Sequence, residues 1–282
     1  MLTRSRNRLI AARCLIVLMI GVGALPWNRV RGQTDPATQP AATQPSPPPL
    51  PATREADELP ADSPIRQWFK KLADPDPKVR EQAKTDLMGI AAGDLPKLRQ
   101  LVIESMPIAP DQAAALPDIV TQSLLAGEKY TSRDGEETDA SGSEGPYFLG
   151  LVGPQEEMDD QGRMGIVVDQ RLPGFPSYRF LRKGDMILGV FVDPKAPLQV
   201  VPNVQTRKLS VLSSFIEMNP AAQSILLQVL RDGELIRVQV TMAPRPQVAN
   251  PATPGSLSTF IAERADLAET YWNENFASWV GR

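Results

Sequence analysis

The sequence has no histidine, and its only cysteine is Cys14. A Ser-His-Asp triad and a Cys-His pair both use an imidazole as base, so neither can be assembled. Zinc and haem sites of the usual kinds draw on His or Cys and are excluded in the same way. A lone cysteine leaves no disulfide to be made within the chain. Past the N-terminal segment there is no cluster of Lys and Arg of the kind that grips phosphate backbones, so nucleic acid is not an expected partner. Long apolar runs are also missing. The stretch from Cys14 to Leu25 holds twelve apolar or glycine residues, whereas a helix needs about 20 to cross a bilayer.

Arg4, Arg6 and Arg8 precede that run without an acidic residue among them, which is the form of a secretory signal. Residues 1–25 are therefore expected to act as a signal peptide, with Val22-Gly23-Ala24 as the small-residue cleavage site. An uncleaved N-terminal anchor is the alternative, since Pro26, Arg29 and Arg31 follow closely. The expected location is exported, either periplasmic or secreted, with membrane attachment only through this segment if it is retained. Cleavage after Ala24 leaves 26 Lys and Arg against 33 Asp and Glu, a mildly acidic protein. Residues 26–62 form a linker rich in Pro, Thr and Gln, with the near-repeat Ala37-Thr38-Gln39-Pro40 and Ala42-Thr43-Gln44-Pro45. That composition suits an extended, disordered tether.

Helical grammar begins at Ser63-Pro64, a cap followed by proline at the first helical position, with Ile65, Trp68, Phe69 and Leu72 on one stripe. Asp76-Pro77 repeats the signal ahead of Val79, Ala83, Leu87 and Ile90. Further stripes follow at Leu95, Leu98 and Val102, then at Leu116, Ile119, Val120 and Leu124, with Pro117 expected to kink or shorten the last helix. Residues 63–127 are read as a small helical bundle. Leu72-Ala73-Asp74-Pro75-Asp76-Pro77-Lys78-Val79-Arg80, with Ala83 and Leu87, resembles a HEAT-type helical repeat. Residues 128–145 are polar and glycine-containing, which suits a flexible linker.

From residue 146 the pattern changes to short runs rich in Val, Ile and Leu. Met164 to Val168, Met186 to Phe191, Ser224 to Leu230 and Leu235 to Met242 read as strands, and Asp232-Gly233 as a tight primed hairpin turn. Arg207 to Met218 reads as one principal helix. Phe148-Leu149-Gly150-Leu151, Gly165-Ile166-Val167-Val168, Leu172-Pro173-Gly174, Leu181-Arg182-Lys183-Gly184-Asp185-Met186-Ile187 and Leu230-Arg231-Asp232-Gly233 together resemble a bacterial PDZ domain of the HtrA type, over residues 146–246. The fold class expected is α+β: a HEAT-like helical bundle, a PDZ-like β-barrel or sandwich with one principal helix, and a C-terminal helix.

The resemblance implies a peptide-binding groove. The loop Phe148, Leu149, Gly150 and Leu151 corresponds to the one whose backbone N–H groups receive a peptide's terminal carboxylate, and the following strand pairs with the peptide. Leu209, Ser213 and Ile216 are the matching positions on the helical wall, while Leu212 should face the core. Pro154 interrupts the pairing strand, so any ladder there is brief. Gly184-Asp185 is read as a turn device and not as a catalytic acid. Glu156, Glu157, Asp159 and Asp160 lack calcium-loop spacing and are read as a solvated hairpin tip.

Residues 247–282 comprise a proline-containing bridge and an amphipathic helix whose stripe is Ile261, Ala265, Ala268, Trp272, Phe276 and Trp279. Such a stripe can dock on its own protein or on a partner. The function expected is a non-enzymatic exported adaptor or scaffold that binds peptide or protein C-termini, with no cofactor and no metal. The alternatives are a structural module whose groove is closed by its own chain, or an accessory subunit or regulator of an extracytoplasmic protease. The catalytic domain of HtrA-type proteases has no counterpart in this chain.

Overall fold

Proline sets the start of three helices in the N-terminal part: α1 (Pro64–Lys71), α2 (Pro77–Leu87) and, after α3 (Leu95–Glu104), α4 (Pro110–Ala126). Its fixed φ suits the first turn, and its missing N–H is one the helix does not need there. The Asp76 carboxylate caps α2 by accepting from the Lys78 amide at 2.8 Å. The Gln112 side chain accepts from the Ala109 amide at 2.9 Å at the head of α4. The computed structural model describes residues 59–60, 62–142, 147–191, 204–218, 224–249 and 256–280. The expected signal or anchor, and nearly all of the expected tether, lie outside the described residues.

The apolar stripes of α1 to α4 meet in one core built on Phe69, Leu72, Leu87, Leu95, Leu98, Leu116 and Ile119. Pro117 does not shorten α4, which runs unbroken through it. Proline costs that turn one hydrogen bond, and the burial of Leu116 and Ile119 on either side offsets the loss. The polar stretch after α4 carries a small hairpin, β1 (Tyr130–Thr131) and β2 (Glu137–Thr138). Tyr130 fixes it: its ring is buried, and its hydroxyl donates to the Pro244 carbonyl at 2.8 Å.

The remaining elements in order are β3 (Tyr147–Phe148), β4 (Leu151–Val152), β5 (Gln155–Met158), β6 (Met164–Val167), β7 (Gln170–Arg171), α5 (Pro176–Phe180), β8 (Met186–Phe191), β9 (Val204–Gln205), α6 (Leu209–Met218), β10 (Ser224–Arg231), β11 (Glu234–Thr241), β12 (Ala243–Pro244), α7 (Ser256–Asn275) and α8 (Ala277–Val280). The main sheet is antiparallel in the order β11-β10-β8-β6-β5, with β9 added to β8. The β10–β11 hairpin closes through Asp232 (φ 52°) and Gly233 (φ 83°), both left-handed as a primed turn requires. Helix and strand both contribute heavily, and the architecture is α+β.

The barrel expected from the sequence is not closed among the described residues: the sheet path ends at β11 on one side and β5 on the other. The strands nearest that gap are too short to bridge it. β3 pairs only with β12, and β4 only with β7, each over two residues. Gly153 (φ 58°) and Pro154 separate β4 from β5 and prevent one long strand.

Beneath the sheet, Ile166, Ile187, Val190, Leu227, Val229 and Val240 pack against Leu212, Phe215 and Ile216 of α6 in a second core. A third, aromatic cluster gathers Tyr130, Leu172, Phe175 and Ala243, with Phe148 and Phe260 packed on it. The C-terminal stripe docks within the chain. α7 runs along α4, and Phe276, at the break before α8, is fully buried in the helical core. Trp272 stacks on Phe276 with centroids 5.6 Å apart. No helix of the described residues is long and apolar enough to cross a membrane.

Candidate functional site

The loop at residues 148–151 is held from one side by α5 and the residues before it. The Ser177 amide donates to the Leu149 carbonyl and the Ser177 hydroxyl to the Gly150 carbonyl, both at 2.8 Å. The Leu172 amide donates to the Gly150 carbonyl as well, also at 2.8 Å. In a trans peptide the N–H points opposite to the C=O, so anchoring these two carbonyls turns the N–H groups of Gly150 and Leu151 to the far side. The ladder agrees, because a bond from Leu172 to Gly150 makes Leu151 and Arg171 a non-hydrogen-bonded pair. Gly150 is left-handed at φ 83°, and a Cβ there would stand 2.4 Å from the Phe175 Cβ. Only glycine lets the loop lie this close to α5.

Beyond the loop, β5 is an edge strand. Asp159 donates to the Arg163 carbonyl across the turn, which puts Glu157 and Gln155 in hydrogen-bonded register with β6 and leaves Glu156 and Met158 to present N–H and C=O to the open side. All four β5 side chains are exposed. Leu209 and Ser213, one turn apart on α6, are both half-buried, whereas Ile216 lies in the core at 6 % exposure. The Glu156 carboxylate accepts from the Leu209 amide at 2.9 Å, tying β5 to the first turn of α6. A carboxylate is favourable there because the exposed amides of a helix start carry partial positive charge.

The electrostatics are those of a braced scaffold. Asp185, buried at 2 % exposure, accepts from the Arg182 amide and takes both forks of Arg231 at 2.7 and 2.9 Å. Burial alone would lower the Arg231 pKa, and the Asp185 carboxylate outweighs it, so the guanidinium is held above its ordinary value. Gly184 (φ 88°) makes the turn that delivers Asp185. No group of His, Cys, Asp and Glu that could hold a metal ion occurs among the described residues.

All seven residues singled out in the sequence are placed. Phe148 is half-buried, edge-on to Phe175 at 5.5 Å, Leu149 is in the core, and Gly150 and Leu151 carry the outward amides. Leu209 and Ser213 are half-buried on α6, the Leu209 amide tied to Glu156 of β5, and Ile216 is core. The acidic run divides: Asp159 is locked to Arg163 at the hairpin tip, while Glu156 sits within β5 and holds α6. Glu156 and Ser177 escape a reading of the sequence, since each acts on a residue 27 or more positions away. A Ser just after Phe175-Pro176, at a helix start, is the one local signal for Ser177. A cavity of 620 Å³ lies elsewhere, between α2 and β11. No protein-family model matches the chain, and no curated protein matches it.

Proposed function

We propose that the chain is a non-enzymatic, exported adaptor that captures peptide or protein C-termini at the 148–151 loop, in the manner of a PDZ domain, with α1 to α4 as a HEAT-like accessory layer. The observation that carries this reading is the pair of outward amides at Gly150 and Leu151, next to a strand edge left open at Glu156 and Met158. Backbone N–H groups neutralise a terminal carboxylate without a charged side chain, and an extended peptide satisfies its own backbone by adding to a sheet edge. Leu209 and Ser213 would line the wall for the terminal side chain. The Glu156 bond to α6 favours a second reading, a structural module whose groove is spanned by its own side chain.

Amide NMR titration of the whole chain separates the two. A peptide with an apolar, free C-terminus should shift Gly150 and Leu151, and its amidated twin should bind at least about tenfold more weakly for want of the charge-assisted bonds. Leu209→Asp, at a half-exposed position, should weaken binding and preserve the fold. Gly150→Val tests nothing here, because the Phe175 contact makes it a folding variant. If no apolar-ended peptide from a broad library moves those amides, the adaptor reading fails. If binding appears only in Glu156→Gln, the spanned-groove module is the better account.

A further inference from the structure

Between α2, β7 and α5 lies a cavity of 140 Å³, well below the few hundred Å³ of sites for drug-sized molecules. Its wall carries Lys84, Arg171, Arg179 and Arg182 and a single acid, Glu81, with Tyr178 beside them. The other lining residues, Thr85, Met88 and Leu181, bring no charge. Four cations around so small a space repel one another unless anions intervene, so the acceptors of each decide what the cavity can hold.

Two of the four have anions already. Lys84 pairs with Asp118 at 2.5 Å, and Arg182 pairs with Glu81 at 2.9 Å and with the exposed Asp232 at 3.6 Å. Arg171 and Arg179 form no ion pair among the described residues, and Asp118 and Asp86 act on them only from farther off. Each is fixed instead by backbone carbonyls and an aromatic face. One terminal nitrogen of Arg171 donates to the Tyr178 and Leu181 carbonyls, and its guanidinium lies over the Tyr178 ring at 4.9 Å. Arg179 Nε donates to the Thr85 carbonyl at 2.9 Å, with the guanidinium 4.8 Å from the Phe180 ring. Nε and the second terminal nitrogen of Arg171, and both terminal nitrogens of Arg179, bond to no protein atom among the described residues, yet none of them is sealed from solvent. Burial lowers the Arg179 pKa, and Asp86 counters this without reversing it.

We propose that this cavity binds a phosphate group, free or at the end of a small monoester, with Arg171 and Arg179 supplying the donors. A phosphate carries roughly two negative charges at neutral pH, one for each unpaired guanidinium, and its oxygens suit planar N–H forks. A carboxylate brings one charge and leaves the second guanidinium unmet. The 620 Å³ cleft between α2 and β11 shares Glu81, Thr85 and Arg182 with this cavity and adds Phe180, Ile236 and Val238, a wall for the organic part of an ester. This site is independent of the 148–151 loop.

Calorimetry and NMR titration of the whole chain at fixed ionic strength, with inorganic phosphate, phenyl phosphate, benzoate and chloride as probes, test the proposal. Phosphate should bind at least about tenfold more tightly than benzoate or chloride and shift the amides of Thr85 and Arg179, not those of Gly150 and Leu151. Tighter binding of phenyl phosphate, with added shifts at Ile236 and Val238, would assign the ester; tighter binding of inorganic phosphate would assign the free anion. Arg179→Gln should weaken phosphate at least about tenfold. Glu81→Gln, at a half-exposed position, removes the acid from the wall and should strengthen phosphate binding, which keeps the proposal testable if Arg179→Gln does not fold. Equal binding of phosphate and chloride, shifts confined to the 148–151 amides, or an affinity unmoved by Glu81→Gln would overturn the site and leave Arg171 and Arg179 as braces of the fold.

Discussion

Asp185 shows how one side chain carries both a turn and a long-range contact. It receives the Arg182 amide three residues back and the Arg231 guanidinium 46 residues on. Removing one partner of a buried pair strands the other charge, so Asp185→Ala should cost about 3 kcal/mol in urea unfolding. Asp159→Ala, at the hairpin tip, should cost clearly less than Asp185→Ala despite its short bonds to Arg163. An Asp185→Ala loss as small as that of Asp159→Ala would show that the buried pair contributes little. The turn role of Gly184-Asp185 is legible in the sequence because turn chemistry is local. The Arg231 partnership is not, since nothing within one segment reports which distant strand will lie beside it.

Among the elements, the long β8, β10 and β11 strands and the α6 helix follow from their apolar patterns almost residue for residue, and so do the proline-led helices. What the pattern misses is built by contacts between elements: the tie from Glu156 to α6, and the anchoring of the 128–142 stretch by Tyr130. Two glycines separate backbone freedom from close approach. Gly184 and Gly174 are both left-handed, at φ 88° and 84°, but a Cβ on Gly184 would meet nothing, while one on Gly174 would stand 2.7 Å from the Leu125 backbone. Gly184→Ala should therefore cost about 1 kcal/mol, the left-handed penalty alone, and Gly174→Ala clearly more, because α4 must move. Equal losses in thermal unfolding would contradict the close packing of that loop on α4.

Over the whole molecule, a polar seam joins the four helices to the strand-rich part. Tyr178 donates to Asp118 at 2.8 Å, and Lys84 pairs with the same carboxylate. Burial would raise the Asp118 pKa, yet Lys84 and Tyr178 prevail and hold it below the usual carboxylate value. A depressed carboxylate pKa contributes stability that is full above the unfolded value and is lost as pH falls through the folded one. Asp118→Asn should thus be less stable than the parent at about pH 6, with the gap closing progressively as pH falls below the usual carboxylate range and the parent's carboxylate takes up its proton. A gap that stays constant across that range would remove the linkage. The seam has one more consequence. Between Gly174 and Arg182 the chain meets the helices and the 148–151 loop in close alternation: Gly174 donates to Gln122, Ser177 to Leu149 and Gly150, Tyr178 to Asp118, Arg179 to the Thr85 carbonyl, and Arg182 to Glu81. Adding a single residue there would throw every later partner out of step on both sides at once. This stretch looks like a connecting loop yet has no freedom of length, and insertions that an ordinary surface turn absorbs should be barred from it.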